Sequence, residues 1–355
     1  MYENMTFETI MERMLANVPA TMDKREGSVI WDATATVAVE LANAFIAVDT
    51  VLNETFADTA SLYYLKKRAA ERGINQKLAT KAVLQGEFSP VSIDIPVGSR
   101  FSCEELNYTV TEKIREGVYK LSCDVAGTEG NSTFGTLIPV DYIHGLETAT
   151  LTELLIPAED DESVEDLRTR YFDSLVSQAY GGNIADYEAK IGNIAGVGGV
   201  KVTPVWNGGG TVKLTIIDSQ FEVPSEALVE LVQNEADPVG HSGQGVGFAP
   251  IGHTVTVVGV NGVTVNIETN ITYQDGWDWE SSKNYILTAV DNYFKDLAKQ
   301  WKDSDNLTVR ISQLESKLLD CAGVVDVADT TINGSASNLT LGGADIPVRG
   351  TVNGN

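Results

Sequence analysis

"GVKVTPVWNGGGTVKLTIID", residues 199–218, is two runs rich in β-branched residues, broken at Asn207-Gly208. Asn-Gly tolerates the positive φ of a tight turn between antiparallel strands, so the stretch predicts a β-hairpin. What flanks the hairpin decides the class of fold. Before it, "NIADYEAKIGNI" (183–194) reads as a helix, and after it "PSEALVELVQNEADP" (224–238) reads as another. Next come the strands "HTVTVVGV" (253–260) and "VTVNIETNITY" (263–273), a long helix at 279–301 and a shorter one near 311–320. Strands around 324–331 and 345–349 close the chain. Helices alternating with mostly antiparallel strands predict two successive small α+β domains.

Upstream the pattern differs. Residues 4–17 read as a short amphipathic helix ending before Pro19. "VIWDATATVAVELANAFIAVDTVLNETF" (29–56) contains no Gly or Pro. One apolar stripe runs Trp31, Ala35, Ala38, Ala42, Phe45, Leu52, Phe56, and a second runs Val37, Leu41, Ala44, Val48, Val51. A helix apolar over that much of its circumference needs more than one neighbour. A third helix, 58–72, ends at Gly73, a residue suited to a left-handed cap. This segment is thin for an independent core, and part of its surface is expected to be covered by another chain, the alternative being the rest of this protein. From 80 to 156 short β-like runs ("AVLQGEF", "VSIDIPVGSRF", "YTVTEKI", "VYKLSCDV", "GTLIPV") predict a small antiparallel domain. A helix is expected from Ser163 to Ala179. The predicted domains are therefore a helical segment 1–78, a β domain 79–156, a helix plus first α+β domain 157–262, and a C-terminal α+β domain 263–355.

The chain has 355 residues, 25 basic and 50 acidic, for a net charge of −25. That balance opposes binding to nucleic acid or to an anionic membrane, and favours basic partners. Cys103, Cys123 and Cys321 show no CxxC spacing and read as free thiols. A 103–123 bridge is conceivable if two strands lie side by side, but nothing requires it. The start "MYENMTFETIMERML" lacks the basic head and apolar core of a signal peptide. Asp32 and Glu40 interrupt residues 29–48, which argues against a membrane span. A soluble, unexported polypeptide is expected.

The chemistry-bearing motifs fail on inspection. "VGHSGQGVGFAPIGHTV" (239–255) resembles a G-x-S-x-G elbow, but Gln244 stands where the second glycine belongs, and a helix precedes rather than follows it. As a phosphate loop it lacks the Lys-Ser/Thr ending, and as a dinucleotide fingerprint it has Phe248 at the third glycine position. It reads as a structural turn. Glu159-Asp160-Asp161-Glu162 do not match EF-hand spacing, and Ser163-x-x-Asp166 fits a helix-initiating capping box. His144, His241 and His253 are too isolated for a zinc site. Trp277 and Trp279 anchor a helix start to its sheet more readily than they stack on a sugar. No catalytic, cofactor-binding or metal-binding residue is assigned.

In order and spacing, several stretches resemble the baseplate J-like (Mu-type) wedge proteins of contractile phage tails and R-type bacteriocins. They are "DKREGSVIWDA" (23–33), "ETFADTASLYYLKKRAAERGI" (54–74), "IPVGSRF" (95–101), "EDDESVEDLRTRYFDSLVSQAYGGNIADY" (159–187), "GVGGVKVTPVWNGGGTVKL" (196–214) and "GQGVGFAPIGHTVTV" (243–257). Ala158 departs from the glycine that related chains often carry in the following acidic turn. The resemblance implies a non-enzymatic protein without cofactor, assembled in the bacterial cytoplasm into the baseplate of a virion or tail particle. It implies an inner ring around the hub, six-fold and able to rearrange when the tail contracts. The implied partners are a second copy, a smaller baseplate I-like wedge protein, the sheath initiator, and hub and spike proteins; no nucleic acid or membrane is implied. On this resemblance Trp31, Leu41, Phe45, Leu52 and Phe56 are candidate contacts of an N-terminal helix bundle; separately, several small domains joined by Gly-containing connectors such as "AYGGN" motivate the expected rearrangement. The alternatives are a tail-associated peptidoglycan hydrolase and a receptor-binding fibre, the latter disfavoured by the lack of long β-repeats.

Overall fold

A computed structural model of the chain describes residues 2, 4–176 and 181–354. Those residues form two compact units. One holds the chain up to Lys77 and again from Glu162 through the helix that follows; the other holds Leu78–Asp161 and resumes at Gly181.

The first unit is helical: α1 (Phe7–Ala16), α2 (Val29–Thr55), α3 (Leu62–Ala70) and α4 (Val164–Val176). The expected end of α4 at Ala179 lies outside the described residues, as do Ala179 and Tyr180 of the "AYGGN" connector. Side chains start these helices by accepting from orphan N–H groups, Thr6 from Thr9 and Ser28 from Trp31. α1 lays Ile10 and Met11 on Ala38, with Trp31, Ala35, Ala42 and Phe45 around them. That contact uses the first stripe of α2, and Ala38 is the one buried residue on the helix. The second stripe is in solvent: Val37 is 49% exposed, Leu41 37%, Val48 45% and Val51 65%. By length and composition α2 could also cross a membrane. α3 and α4 make a separate small core of Leu65, Ala69, Leu167 and Tyr171. Arg168 fastens it by donating to the carbonyls of Ala57 and Ala60.

The second unit begins with a seven-stranded antiparallel sheet. Its strands are β1 (Val83–Ser89), β2 (Arg100–Cys103), β3 (Leu106–Arg115), β4 (Val118–Cys123), β5 (Gly135–Thr136), β6 (Ile138–Pro139) and β7 (Thr148–Ile156). They lie in the order β5-β7-β1-β4-β3-β2-β6. Of "VSIDIPVGSRF" only the end is strand, because Pro90 and Pro96 supply no N–H for a ladder. Ile95 still enters the core and donates its N–H to the Tyr119 hydroxyl. Cys103 and Cys123 are free and buried; β3 lies between their strands, so the side-by-side arrangement a bridge requires is not met.

A central α+β domain follows: α5 (Ile184–Ile191), β8 (Val197–Pro204), β9 (Thr211–Asp218), α6 (Glu226–Ala236) and β10 (Thr254–Gly259). The hairpin forms, with β8 antiparallel to β9, but its connection is the longer loop 205–210, where Val205, Gly208 and Gly210 rather than Asn207 take positive φ. β10, however, joins β9 in parallel, after the α6 crossover. The C-terminal domain holds β11 (Asn261–Tyr273), α7 (Trp279–Lys299), β12 (Thr308–Val309), α8 (Ile311–Leu319), β13 (Val324–Ile332), β14 (Leu339–Thr340) and β15 (Asp345–Gly354). β11 is the middle strand, antiparallel to β13 and parallel to β15. The fold is thus multidomain α+β: a helical segment, a small antiparallel β domain and two small α+β domains.

The two α+β domains share a seam. Lys201 on β8 donates to the carbonyls of Ser304 and Gly343, and its ammonium lies 4.6 Å from the centre of the Trp301 ring. Burial pushes that ammonium's pKa down, against the pull of Asp305 and Asp303. At the end of β9, Asp218 accepts from the N–H groups of Gln220 and Glu222, which turns the chain so that Phe221 packs on the C-terminal core. Burial pushes the Asp218 carboxyl up to about 6, outweighing those N–H donors and joined by repulsion from Glu222.

A carboxyl raised in the folded state binds its proton more tightly there than in the unfolded chain. Folding stability therefore falls as pH rises from about 4 to about 6, and the cost persists above that range. Asp218→Asn keeps the Oδ1 acceptor and removes the charge. It is expected to raise unfolding free energy by about 1–2 kcal/mol at pH 7.5, with the gain vanishing near pH 4. Urea denaturation at both pH values measures this, and an equal effect at both contradicts it.

Candidate functional site

The loop between α6 and β10, residues 237–253, is where the sequence came nearest to a catalytic motif. Its organiser is Asp237, 1% exposed at the end of α6. The carboxylate accepts the Ser242 hydroxyl and the N–H groups of Gly243 and Val255, each N–H at 3.0 Å. Ser242 is therefore a donor locked onto a carboxylate that also orders the loop backbone, while His241 and His253 bond elsewhere. His253 accepts or donates elsewhere, its Nδ1 2.8 Å from the Tyr187 hydroxyl on α5. The same loop finishes α6: Phe248 and Ala249 donate their N–H groups to the carbonyls of Glu235 and Ala236. That approach needs a glycine at 247, where a Cβ would lie 2.4 Å from the Ala236 oxygen. Gly182, at φ 87°, is held from the other side, since a Cβ there would lie 2.4 Å from Pro250 Cγ. The turn therefore clamps the start of the central domain as well as the end of α6.

The acidic run is equally committed to structure. Glu159 accepts from Gly196 N–H, Asp160 from Thr128 and Asp161 from Ala79. Glu162 accepts from Lys77 N–H and pairs with Arg170. Although burial opposes it, the Arg170 guanidinium and the Lys77 N–H hold the Glu162 carboxyl below the usual range. Ser163 caps α4 by accepting from Asp166 N–H. Among the described residues no group of three or more His, Cys, Asp or Glu is placed to hold a metal ion. Trp277 covers Gly323, where a Cβ would fall 2.2 Å from the indole, and Trp279 packs on the C-terminal core beside the capping box of Asp278 and Ser281.

The five residues singled out as partner contacts fall into different surroundings. Trp31 and Phe45 pack against the α1 contact and are half-buried. Leu52 is half-buried, Leu41 stands on the exposed second stripe, and Phe56, just past the helix end, is 59% exposed. Asp237 and Lys201 each hold several backbone groups, and neither was singled out from the sequence. A buried Asp directly after a helix and before a Gly-rich loop was the available signal for the first. Nothing local marks Lys201, whose acceptors lie 103 and 142 residues on.

The turn is clamped, the acidic run is spent on backbone groups and Arg170, and one face of α2 is uncovered. The Baseplate J-like central domain matches residues 179–259, and the Baseplate J-like protein C-terminal domain matches residues 265–355. The chain is 41% identical over 355 residues to the uncharacterized protein YqbT of Bacillus subtilis (strain 168), covering 99% of this chain and 98% of that one. It is 40% identical over 354 residues to the phage-like element PBSX protein XkdT of the same organism, again covering 99% and 98%. The chain belongs to the Baseplate J-like family, structural proteins of the phage tail baseplate. Among solved structures, a chain of the anti-feeding prophage (AFP) baseplate aligns with a TM-score of 0.41 at 9% identity, over 96% of this chain and 89% of that one.

Asp237→Ala would leave two N–H groups and a hydroxyl without their acceptor, and is expected to cost about 3 kcal/mol of stability. Ser242→Ala, which removes one donor, is expected to cost about 1 kcal/mol. Denaturant melts of the two variants check this ranking, and a Ser242→Ala loss as large as that of Asp237→Ala would contradict it.

Proposed function

We propose that this chain is a non-enzymatic wedge protein of a contractile-tail baseplate, in a phage or a phage-tail-like bacteriocin. On this reading it assembles in the bacterial cytoplasm into an inner ring around the hub, and the ring rearranges when the tail contracts. Its partners are a second copy, a smaller I-like wedge protein, the sheath initiator, and hub and spike proteins.

The observation that carries the reading is the second stripe of α2. Four aliphatic side chains on one face of a 27-residue helix lie uncovered. Burying such side chains stabilises by about 1.5–3 kcal/mol each, so a cover is strongly favoured. The cover we assign is helices of other wedge subunits, meeting Leu41 on the stripe with Leu52 and Phe56 beside it, while Trp31 and Phe45 back it from the α1 contact. Exposed apolar faces of this kind mark protein or membrane contacts. A membrane is the poorer fit, because Asp32, Thr36, Glu40, Asn43, Thr50 and Glu54 recur at three-, four- and seven-residue spacing and make a polar side. Each acid at the bilayer centre would cost about 2.5–3.5 kcal/mol. The non-enzymatic reading is supported by Ser242 and His253, which bond to separate partners.

Co-expression with the neighbouring tail proteins, followed by native mass measurement, tests the proposal. The wild-type chain is expected in a complex containing more than one copy together with a smaller wedge protein. Leu41→Asp with Val48→Asp is expected to reduce complex recovery at least tenfold, while shifting the melting of the isolated chain little, since both side chains are partly in solvent. A wild-type chain that stays monomeric with every neighbour, or that floats with neutral lipid vesicles, contradicts the assignment.

A further inference from the structure

Between α7 and α8 the C-terminal domain has a groove of about 560 Å³. Clefts that hold ligands run from ~300 to ~1,000 Å³, so the groove is of that size. Asp296 lines it from α7, Arg310 and Lys317 line it from the two ends of α8, and the buried Tyr293 and Thr308 of β12 border the same space.

Two features say what the groove would take. The first is an open strand edge. β12 pairs only with β14, in a sheet of two strands. Leu341 donates its N–H to the Leu307 carbonyl, and Thr308 stands opposite Thr340 one position on. Backbone groups of an antiparallel pair point inward and outward at alternate residues, so Thr308 turns its own N–H and C=O away from β14. Arg310 is the next outward residue, and its N–H meets the Tyr293 hydroxyl at 2.9 Å. Tyr293 lines the groove, so the open edge faces it. Among the described residues no strand lies beyond Thr308.

The second feature is charge. Asp296 is the one acid in the lining, and Lys299 holds it at 3.0 Å. Arg310 and Lys317 have no ion-pair partner among the described residues. Seven positions apart, they stand ~10 Å from each other along α8. The groove therefore offers two unmatched cations on a molecule of net charge −25.

We infer that this groove binds an extended acidic segment of another protein, which pairs with β12 at Thr308 and sets carboxylates against Arg310 and Lys317. An added strand gives a C=O to the Thr308 N–H and an N–H to its C=O, the way extended peptides join an exposed edge. A phosphate offers acceptors alone and leaves the Thr308 carbonyl unmet. A nucleic acid or an anionic membrane presents charge over an area far larger than two cations, and the net charge of the chain repels it. Two main-chain bonds and two partly exposed ion pairs make a weak contact, suited to a segment that other contacts hold nearby. The inference stands on the groove and does not rest on the wedge reading.

Fluorescence anisotropy of the purified full-length chain with short labelled peptides tests it. The probes alternate Thr with Glu, Thr with Gln, or Thr with Lys. The Thr-Glu peptide is expected to bind at least tenfold more tightly than the Thr-Gln peptide, and the Thr-Lys peptide more weakly still. Arg310→Gln with Lys317→Gln, both exposed changes, is expected to remove the preference for Glu. Hydrogen exchange at the Thr308 amide is expected to slow at least tenfold with the Thr-Glu peptide bound, which attraction between charges alone would not cause. Equal binding of the three peptides, a Glu preference that survives the double variant, or a Thr308 amide left unprotected would each overturn the inference. So would inorganic phosphate that protects Thr308 as the peptide does. Protection that appears without peptide as the protein is concentrated would make the occupant a second copy, and would overturn it as well.

Discussion

One extended run belongs to two sheets. From Thr254 to Gly259 it is the β10 edge of the central sheet, and from Asn261 to Tyr273 it is the middle strand of the C-terminal sheet, with Val260 alone between them. Val260 is buried in the C-terminal core and donates its N–H to Ile216 of β9. Ile217 beside it also joins that core. The central and C-terminal domains therefore cannot fold or move independently without breaking a strand ladder. Lys201 and the Asp218 turn tighten the same seam from two further points. Motion within this pair would have to break these buried contacts together, which directs any large rearrangement to other joints of the chain.

Much of the architecture is legible where a local signal fixes it. Ser28, Asn183, Ser225 and Asp278 each start a helix by accepting from a first-turn N–H. Asn207-Gly208 marks the place of the hairpin loop, and Trp277 and Trp279 pack at the start of α7 against Gly323 and the C-terminal core. The parallel pairings of β10 with β9 and of β11 with β15 carry no such signal. They are fixed by crossover helices and by residues far apart in sequence, whereas alternation shows only that a strand exists. "VSIDI" alternates as a strand should, yet it is not one, because flanking prolines remove ladder donors while Ile93 and Ile95 still reach the core.

The same division holds at the α6–β10 loop. Missing glycines in the motif patterns excluded an elbow or a phosphate cradle, but the reason the loop exists lay in Asp237, whose partners are five, six and eighteen residues away. A buried carboxylate satisfied by two N–H groups and a hydroxyl orders a loop without secondary structure of its own. The glycines let the backbone approach α6 and Gly182 closely enough to be held. Ser and His sit together in the sequence for reasons of packing, and folding separates their roles.

Charge bears on both proposed contact surfaces. A chain with twice as many acids as bases remains dispersed by self-repulsion, so any assembly of like copies must occur where carboxylates are absent or set aside. On α2 Asp32, Glu40 and Glu54 lie to one side and Asp49 to the other, so that Val37, Leu41 and Val48 run between them. In the groove between α7 and α8 the one acid, Asp296, is paired with Lys299, which leaves Arg310 and Lys317 to meet an incoming chain. Repulsion over most of the surface and attraction at these two sites would make one register of association cheaper than the alternatives. In the assembly proposed above, the net charge would supply the repulsive half of that selectivity.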